Sequence, residues 1–174
     1  LIDKDLSAQF RVLDLTKDFD PEMAELPEMP FCIRVPDSLS ALQKIAAHWR
    51  NELDIKVIGI TGSVGKSTTK EIIADVLRQR YKTHKNLGNF NNEIGLPLSI
   101  LGLRKSHQRA ILEMGFYVPG EIKFLCEIAQ PTIGVITNIG TVHAERAGSQ
   151  DEIAKGKSEL VEYLPEHGFA ILNY

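Results

Sequence analysis

The run Ile58-Gly59-Ile60-Thr61-Gly62-Ser63-Val64-Gly65-Lys66-Ser67-Thr68 constrains the fold more than any other segment. A β-rich apolar stretch breaks at glycine and restarts as an amphipathic helix. Glycines let backbone N–H groups turn inward around an anion, and the helix adds the positive end of its dipole. In such a loop Lys66 reaches the β- and γ-phosphates of a nucleotide and the Ser67 hydroxyl sits on Mg²⁺. The general phosphate-loop pattern has a further glycine five places before Gly65, where this chain has Ile60. The plain alternative is a strand–turn–helix with a glycine-rich bend.

Around this run, strands and helices alternate. Strands are expected at residues 57–61, 82–85, 110–114, 133–139 and 169–172, and helices at 68–81, 119–129 and 151–164. A further helix starts at Pro36-Asp37-Ser38, and residues 31–35 could form a short strand. Residues 87–95, rich in Gly and Asn, read as a loop. Alternation of this kind gives right-handed crossovers and an α/β fold with a mostly parallel sheet flanked by helices. Ligands collect beyond the carboxyl ends of such strands, and the motifs below all fall there.

Composition narrows the ligand. A net charge of −3 over 174 residues gives no general attraction to nucleic acid or anionic membrane. An anion must therefore be held by local donors. No apolar run approaches a membrane span. Cys32 and Cys126 lack metal-like spacing and read as reduced thiols, which fits a cytoplasmic location.

Candidate site residues follow from strand ends and helical spacing. Glu113 ends the apolar run Ala110-Ile111-Leu112, where a carboxylate is costly to bury unless paired or metal-bound. A half-exposed acid is the alternative. His143 lies past the strand at 133–139. Lys157 shares a stripe with Ile153, Leu160, Val161 and Leu164. A lysine there either snorkels to water or has a specific task. Asn89, Asn91 and Asn92 suit turns. His48, His84, His107 and His167 read as surface residues.

Four spaced segments resemble the Mur ligase family. They are Thr61-Gly62-Ser63-Val64-Gly65-Lys66-Ser67-Thr68-Thr69-Lys70; Gly88-Asn89-Phe90-Asn91-Asn92-Glu93-Ile94-Gly95-Leu96-Pro97-Leu98; Glu113-Met114-Gly115; and Asn138-Ile139-Gly140-Thr141-Val142-His143-Ala144-Glu145 followed by residues 154–160. The second is most like the branch that adds D-alanyl-D-alanine. The resemblance implies a phosphate-loop NTPase-like central domain and an ATP-driven condensation with Mg²⁺. ATP phosphorylates a carboxylate of a UDP-N-acetylmuramyl peptide, and the amine of D-alanyl-D-alanine attacks the acyl phosphate. It implies Gly62, Ser63, Val64, Gly65, Lys66, Ser67 and Thr68 as nucleotide-binding residues. Asn91 and Asn92 fall near the γ-phosphate or the acceptor carboxylate. Ser67, Glu113, His143 and a carbamylated Lys157 are the implied metal ligands, and Lys66, Glu113, His143 and Lys157 the catalytic set.

The family pattern also sets an expected layout. Residues 1–35 are a remnant of an N-terminal substrate domain or a linker, and residues 36–174 a partial central ATP-binding domain. The C-terminal domain is absent. The chain opens on Leu1 and reads as a piece of a longer protein; without the flanking domains it is expected to bind nucleotide weakly and not to turn over, and it is expected to be a monomer. Two other readings stay open: another Mur or folylpolyglutamate-type ligase, and a non-catalytic nucleotide-binding module. If Glu113, His143 and Lys157 cluster by Ser67, the ligase reading is favoured.

Overall fold

The computed structural model describes residues 1–17, 30–140 and 149–173. The chain divides into two compact units, Leu1–Ile45 and Ala46–Tyr174. In the first, β1 (Val12–Asp14) pairs in parallel with β2 (Cys32–Arg34). Arg34 forms an ion pair with Asp14 at 3.1 Å. Helix α1 (Ser38–Asn51) begins in this unit. The Leu39 and Ser40 amides donate to Asp37 Oδ1 at 2.9 and 3.1 Å, the N-cap expected at Pro36-Asp37-Ser38.

The second unit is a five-stranded sheet in the order β4-β5-β3-β6-β7, every neighbouring pair parallel. Its strands are β3 (Lys56–Thr61), β4 (Thr83–Lys85), β5 (Arg109–Glu113), β6 (Ile133–Ile136) and β7 (Phe169–Leu172). The α/β architecture expected from alternation is therefore present. Helices α2 (Lys66–Arg78), α3 (Gly95–Leu101), α4 (Glu121–Ala129) and α5 (Gln150–Tyr163) supply the cover.

Successive side chains on a strand point to opposite faces, and the core divides accordingly. Val57, Ala110 and Leu112 join one cluster with Ile122, Leu125, Ile153 and Leu160 of α4 and α5. Ile58, Ile60 and Ile111 join the other with Ala74 of α2. Gly59 and Gly134 are partners across β3 and β6. A Cβ on either would press Leu160, at 2.9 Å and 3.1 Å respectively. This bare patch of sheet lets α5 sit close.

Several boundaries differ from expectation. Helix α2 starts at Lys66, two residues early, because Gly65 takes a left-handed turn (φ 86°) that leads directly into it. Strand β6 ends at Ile136 because the next residues, Thr137 and Asn138, turn their side chains to the phosphate loop. Helix α3 falls where the sequence pattern marks neither helix nor strand. Its start is held by Asn92 Oδ1, which accepts from the Gly95 amide at 2.8 Å, and Pro97 sits in the first turn, where a missing N–H costs nothing. His84 and His107 are half-buried rather than superficial. Their ring centroids lie 5.4 Å apart, and His84 Nε2 is 3.3 Å from Ser99 Oγ.

Candidate functional site

The central strand β3 delivers the phosphate loop to the carboxyl end of the sheet. Gly62 has φ 148°, and a Cβ there would collide with the Thr137 hydroxyl, so glycine is required on both counts. Asn138 fastens the loop from β6. Its Oδ1 accepts the amides of Ser63 and Val64 at 3.1 and 2.9 Å. Ser63 Oγ exchanges hydrogen bonds with the Gly140 backbone, accepting from its amide at 2.9 Å and donating to its carbonyl at 3.1 Å. Thr137 Oγ1 donates to the Val64 carbonyl at 2.6 Å. The Lys66 amine folds over the loop and donates to the Gly62 carbonyl at 2.8 Å. Behind it, the leading N–H groups of α2 have no carbonyl of their own helix to bond, the arrangement that receives anions at helix starts.

Beside the loop stands a buried carboxylate. Parallel pairing sets Glu113 opposite Ile60, one strand over from the loop. Glu113 is only 3% exposed. Its Oε2 accepts from Ser67 Oγ at 2.8 Å and lies 3.5 Å from Lys70 Nζ. Its Oε1 accepts from Asn91 Nδ2 at 2.9 Å. Asn86, fully buried, brackets the backbone of the same residue, accepting from its amide and donating to its carbonyl at 3.0 Å each. Lys70 also donates to the Gly88 carbonyl at 3.3 Å.

Lys157 is 2% exposed, with its amine 4.7 Å from the centroid of the Phe116 ring. Burial, and then the charge of Lys66, lower its pKa from 10.5 to about 8. The expectation that Lys157 belongs to the buried stripe is therefore met at the level of position.

Of the residues singled out in the sequence, Ser67, Glu113 and Asn91 meet in one hydrogen-bonded group. Gly62, Ser63, Val64 and Gly65 form the adjacent loop, and Lys66 and Thr68 belong to the first turn of α2. Asn92 turns its side-chain oxygen to the start of α3 instead. His143 lies outside the described residues. Four further residues contribute: Lys70 and Asn138, which lie within the family-resembling segments without an assigned role, and Asn86 and Thr137, which no sequence signal marks. Lys70 follows Lys66 by one helical turn, a spacing that places both on one side of α2, and this signal was available.

Ser67 and Glu113 supply adjacent hard oxygen donors, the kind Mg²⁺ takes. Among the described residues no group of three or more His, Cys, Asp or Glu side chains is placed to hold a metal. The donor set fits a cation that brings most of its ligands with it.

Residues 60–174 match the family described as the Mur ligase middle domain. The chain belongs to the Mur ligase family. It is 51% identical over 139 residues to the UDP-N-acetylmuramoyl-tripeptide–D-alanyl-D-alanine ligase of Synechocystis, covering 80% of this chain and 31% of that protein. To the Bacillus subtilis ligase of the same name it is 45% identical over 153 residues, covering 88% and 34%. Among solved structures, MurF from Acinetobacter baumannii aligns with a TM-score of 0.77 at 38% identity, over 86% of this chain and 33% of that one. MurF ligase from Thermotoga maritima, in complex with ADP, aligns with a TM-score of 0.76 at 36% identity, over 86% and 35%. The chain thus spans about a third of the length of these Mur ligase relatives.

Proposed function

We propose that residues 36–174 form part of the ATP-binding central domain of a ligase that joins D-alanyl-D-alanine to UDP-N-acetylmuramoyl-tripeptide in peptidoglycan synthesis. The observation that carries this reading is the 2.8 Å contact between Ser67 and Glu113 at the mouth of a phosphate loop. A buried carboxylate bonded to the loop hydroxyl is the pair a Mg²⁺–triphosphate site needs, and the match to the Mur ligase middle domain favours a ligase over a nucleotide switch. The names of the Synechocystis and Bacillus subtilis relatives supply the substrate pair. The two free cysteines accord with a reducing cytoplasm.

The chemistry must bring a triphosphate and a carboxylate together. The Lys66 amine and the first N–H groups of α2 stabilise the negative charge on the transferring phosphoryl group. Ser67 and Glu113 would hold Mg²⁺, which when bound would supply further charge neutralisation there. The acceptor carboxylate oxygen takes the γ-phosphoryl group and ADP leaves. The amine of the incoming dipeptide then attacks the acyl carbon, losing a proton, and inorganic phosphate departs. Lys157, with its lowered pKa, is the candidate for carbamylation, since only the neutral amine takes up CO₂. The carbamate and His143 complete the proposed ligand set.

Calorimetry with Mg²⁺ and ATP tests the nucleotide site. Binding is expected for the chain and none for Lys66→Ala; equal affinity in the two sinks the placement of the triphosphate. A chimaera carrying residues 46–173 in the Bacillus subtilis relative tests the substrates. ADP release should need both UDP-N-acetylmuramoyl-tripeptide and D-alanyl-D-alanine, and release with another pair moves the assignment within the family.

A further inference from the structure

The Glu113 carboxylate is satisfied by the protein alone. Asn91 occupies Oε1, while Ser67 and Lys70 share Oε2. Lys70 is itself 1% exposed and tied to the Gly88 carbonyl, so its amine is held in place. The nearby Glu71 forms an ion pair with Lys85 and lies further from the Lys70 amine, at 3.9 Å. Glu113 is thus the nearest anionic partner of Lys70.

The geometry points to Lys70 as a positioning residue that keeps the Ser67–Glu113 cation site shut until a nucleotide brings metal with it. This inference rests on the reading of the loop as a triphosphate site. A divalent cation arriving alone must displace Ser67 from Glu113 and stand near a fixed ammonium group. It gains two protein oxygens, where Mg²⁺ needs six ligands. A cation arriving on a triphosphate brings phosphate oxygens and enough negative charge to offset Lys70. The lysine therefore couples metal entry to nucleotide entry. It leaves the carboxylate aimed and hydrogen-bonded in the meantime. An apolar residue at position 70 would leave a buried carboxylate with two neutral hydrogen-bond donors and no adjacent counter-charge, a trap for free divalent ions.

Mn²⁺ binding followed by electron paramagnetic resonance tests this, with and without a non-hydrolysable ATP analogue. The wild-type chain should bind Mn²⁺ only with the analogue. Lys70→Met should bind Mn²⁺ alone, at least about tenfold more tightly than wild type, because one opposing charge is gone. Mn²⁺ alone should also raise its melting temperature. Lys70→Gln, which keeps a donor for Gly88, should behave likewise, and Lys70→Arg, which keeps the charge, should stay shut. If both neutral variants unfold in chelator, added Mn²⁺ should refold them, and failure to refold overturns the inference. Nucleotide-free affinity equal to or weaker than wild type in both neutral variants also overturns it, and this is the outcome a purely structural lysine gives. Failure of the wild type to bind Mn²⁺ even with the analogue sinks the nucleotide reading and this inference with it.

Discussion

Ser67 and Glu113, 46 residues apart in sequence, meet at 2.8 Å because β3 and β5 are parallel neighbours and end at the same edge of the sheet. Glu113→Ala removes the partner of three side chains and leaves Lys70 buried without its carboxylate. Breaking a buried pair in this way costs about 3 kcal/mol or more. Urea denaturation should show that loss, and Glu113→Gln, which keeps one acceptor oxygen where the carboxylate has two, should lose less. Equal losses for the two substitutions would mean that the hydrogen bonds to the side chain contribute nothing beyond the charge.

Asn138 carries both loop amides on one oxygen. Asn138→Ala takes that acceptor from the Val64 amide, while the Ser63 amide keeps the backbone carbonyl of residue 138 at 3.1 Å; the loss costs about 1–3 kcal/mol where water cannot replace it. Asn138→Asp keeps the acceptor but adds a negative charge beside the triphosphate position. It should hold stability closer to wild type while ATP affinity falls, on the order of tenfold. Calorimetry paired with thermal denaturation separates the two effects, and an aspartate variant with unchanged ATP affinity refutes this placement of the loop.

Gly156 faces the ring of Phe116, and a Cβ there would overlap it. Gly156→Ala should therefore destabilise the chain by about 1–3 kcal/mol, the usual range for overpacking. Phe116→Leu in the same chain should recover part of the loss. A double-mutant cycle with no coupling between the two sites would show that the ring moves aside freely.

Lys157 gives a pH signature. Its folded pKa is about 8, below the ordinary 10.5, so the unfolded chain holds the proton more tightly. The native state is penalised in full below pH 8, and the penalty fades as pH rises toward 10.5. In CO₂-free buffer Lys157→Met should thus be more stable than wild type at pH 7, by about 3 kcal/mol at most, with the gap closing by pH 10. A gap that widens with pH would show that burial does not control this amine. Labelled bicarbonate should give a carbamate carbon signal that Lys157→Met lacks.

The sequence disclosed what depends on local pattern. Residues 57–61 read as a buried strand because both faces are covered, leaving no polar alternation to confuse the reading. Lys157 stood out because a charge interrupts an apolar stripe of period 3.6. The partners of Glu113 were harder to see. Lys70 reaches it from α2, and Asn86 and Asn91 from the segment between β4 and α3, and only the strand order brings these together. Helix α3 was hidden because Gly95 and Pro97, ordinarily signs of a break, fall in its first turn, where both are tolerated. His84 looked superficial on composition, yet the packing of α3 through Ser99 half-covers it.

The register of the sheet also governs how the chain can assemble. Ile58 waits for Ile111 on one side and Ile133 on the other, so the middle of the sheet has no partner among consecutive strands. Closing those long loops comes before any ladder rewards it. During synthesis the phosphate loop leaves the ribosome well before the residues that brace it. The binding cradle is thus made before its braces and takes shape only after them.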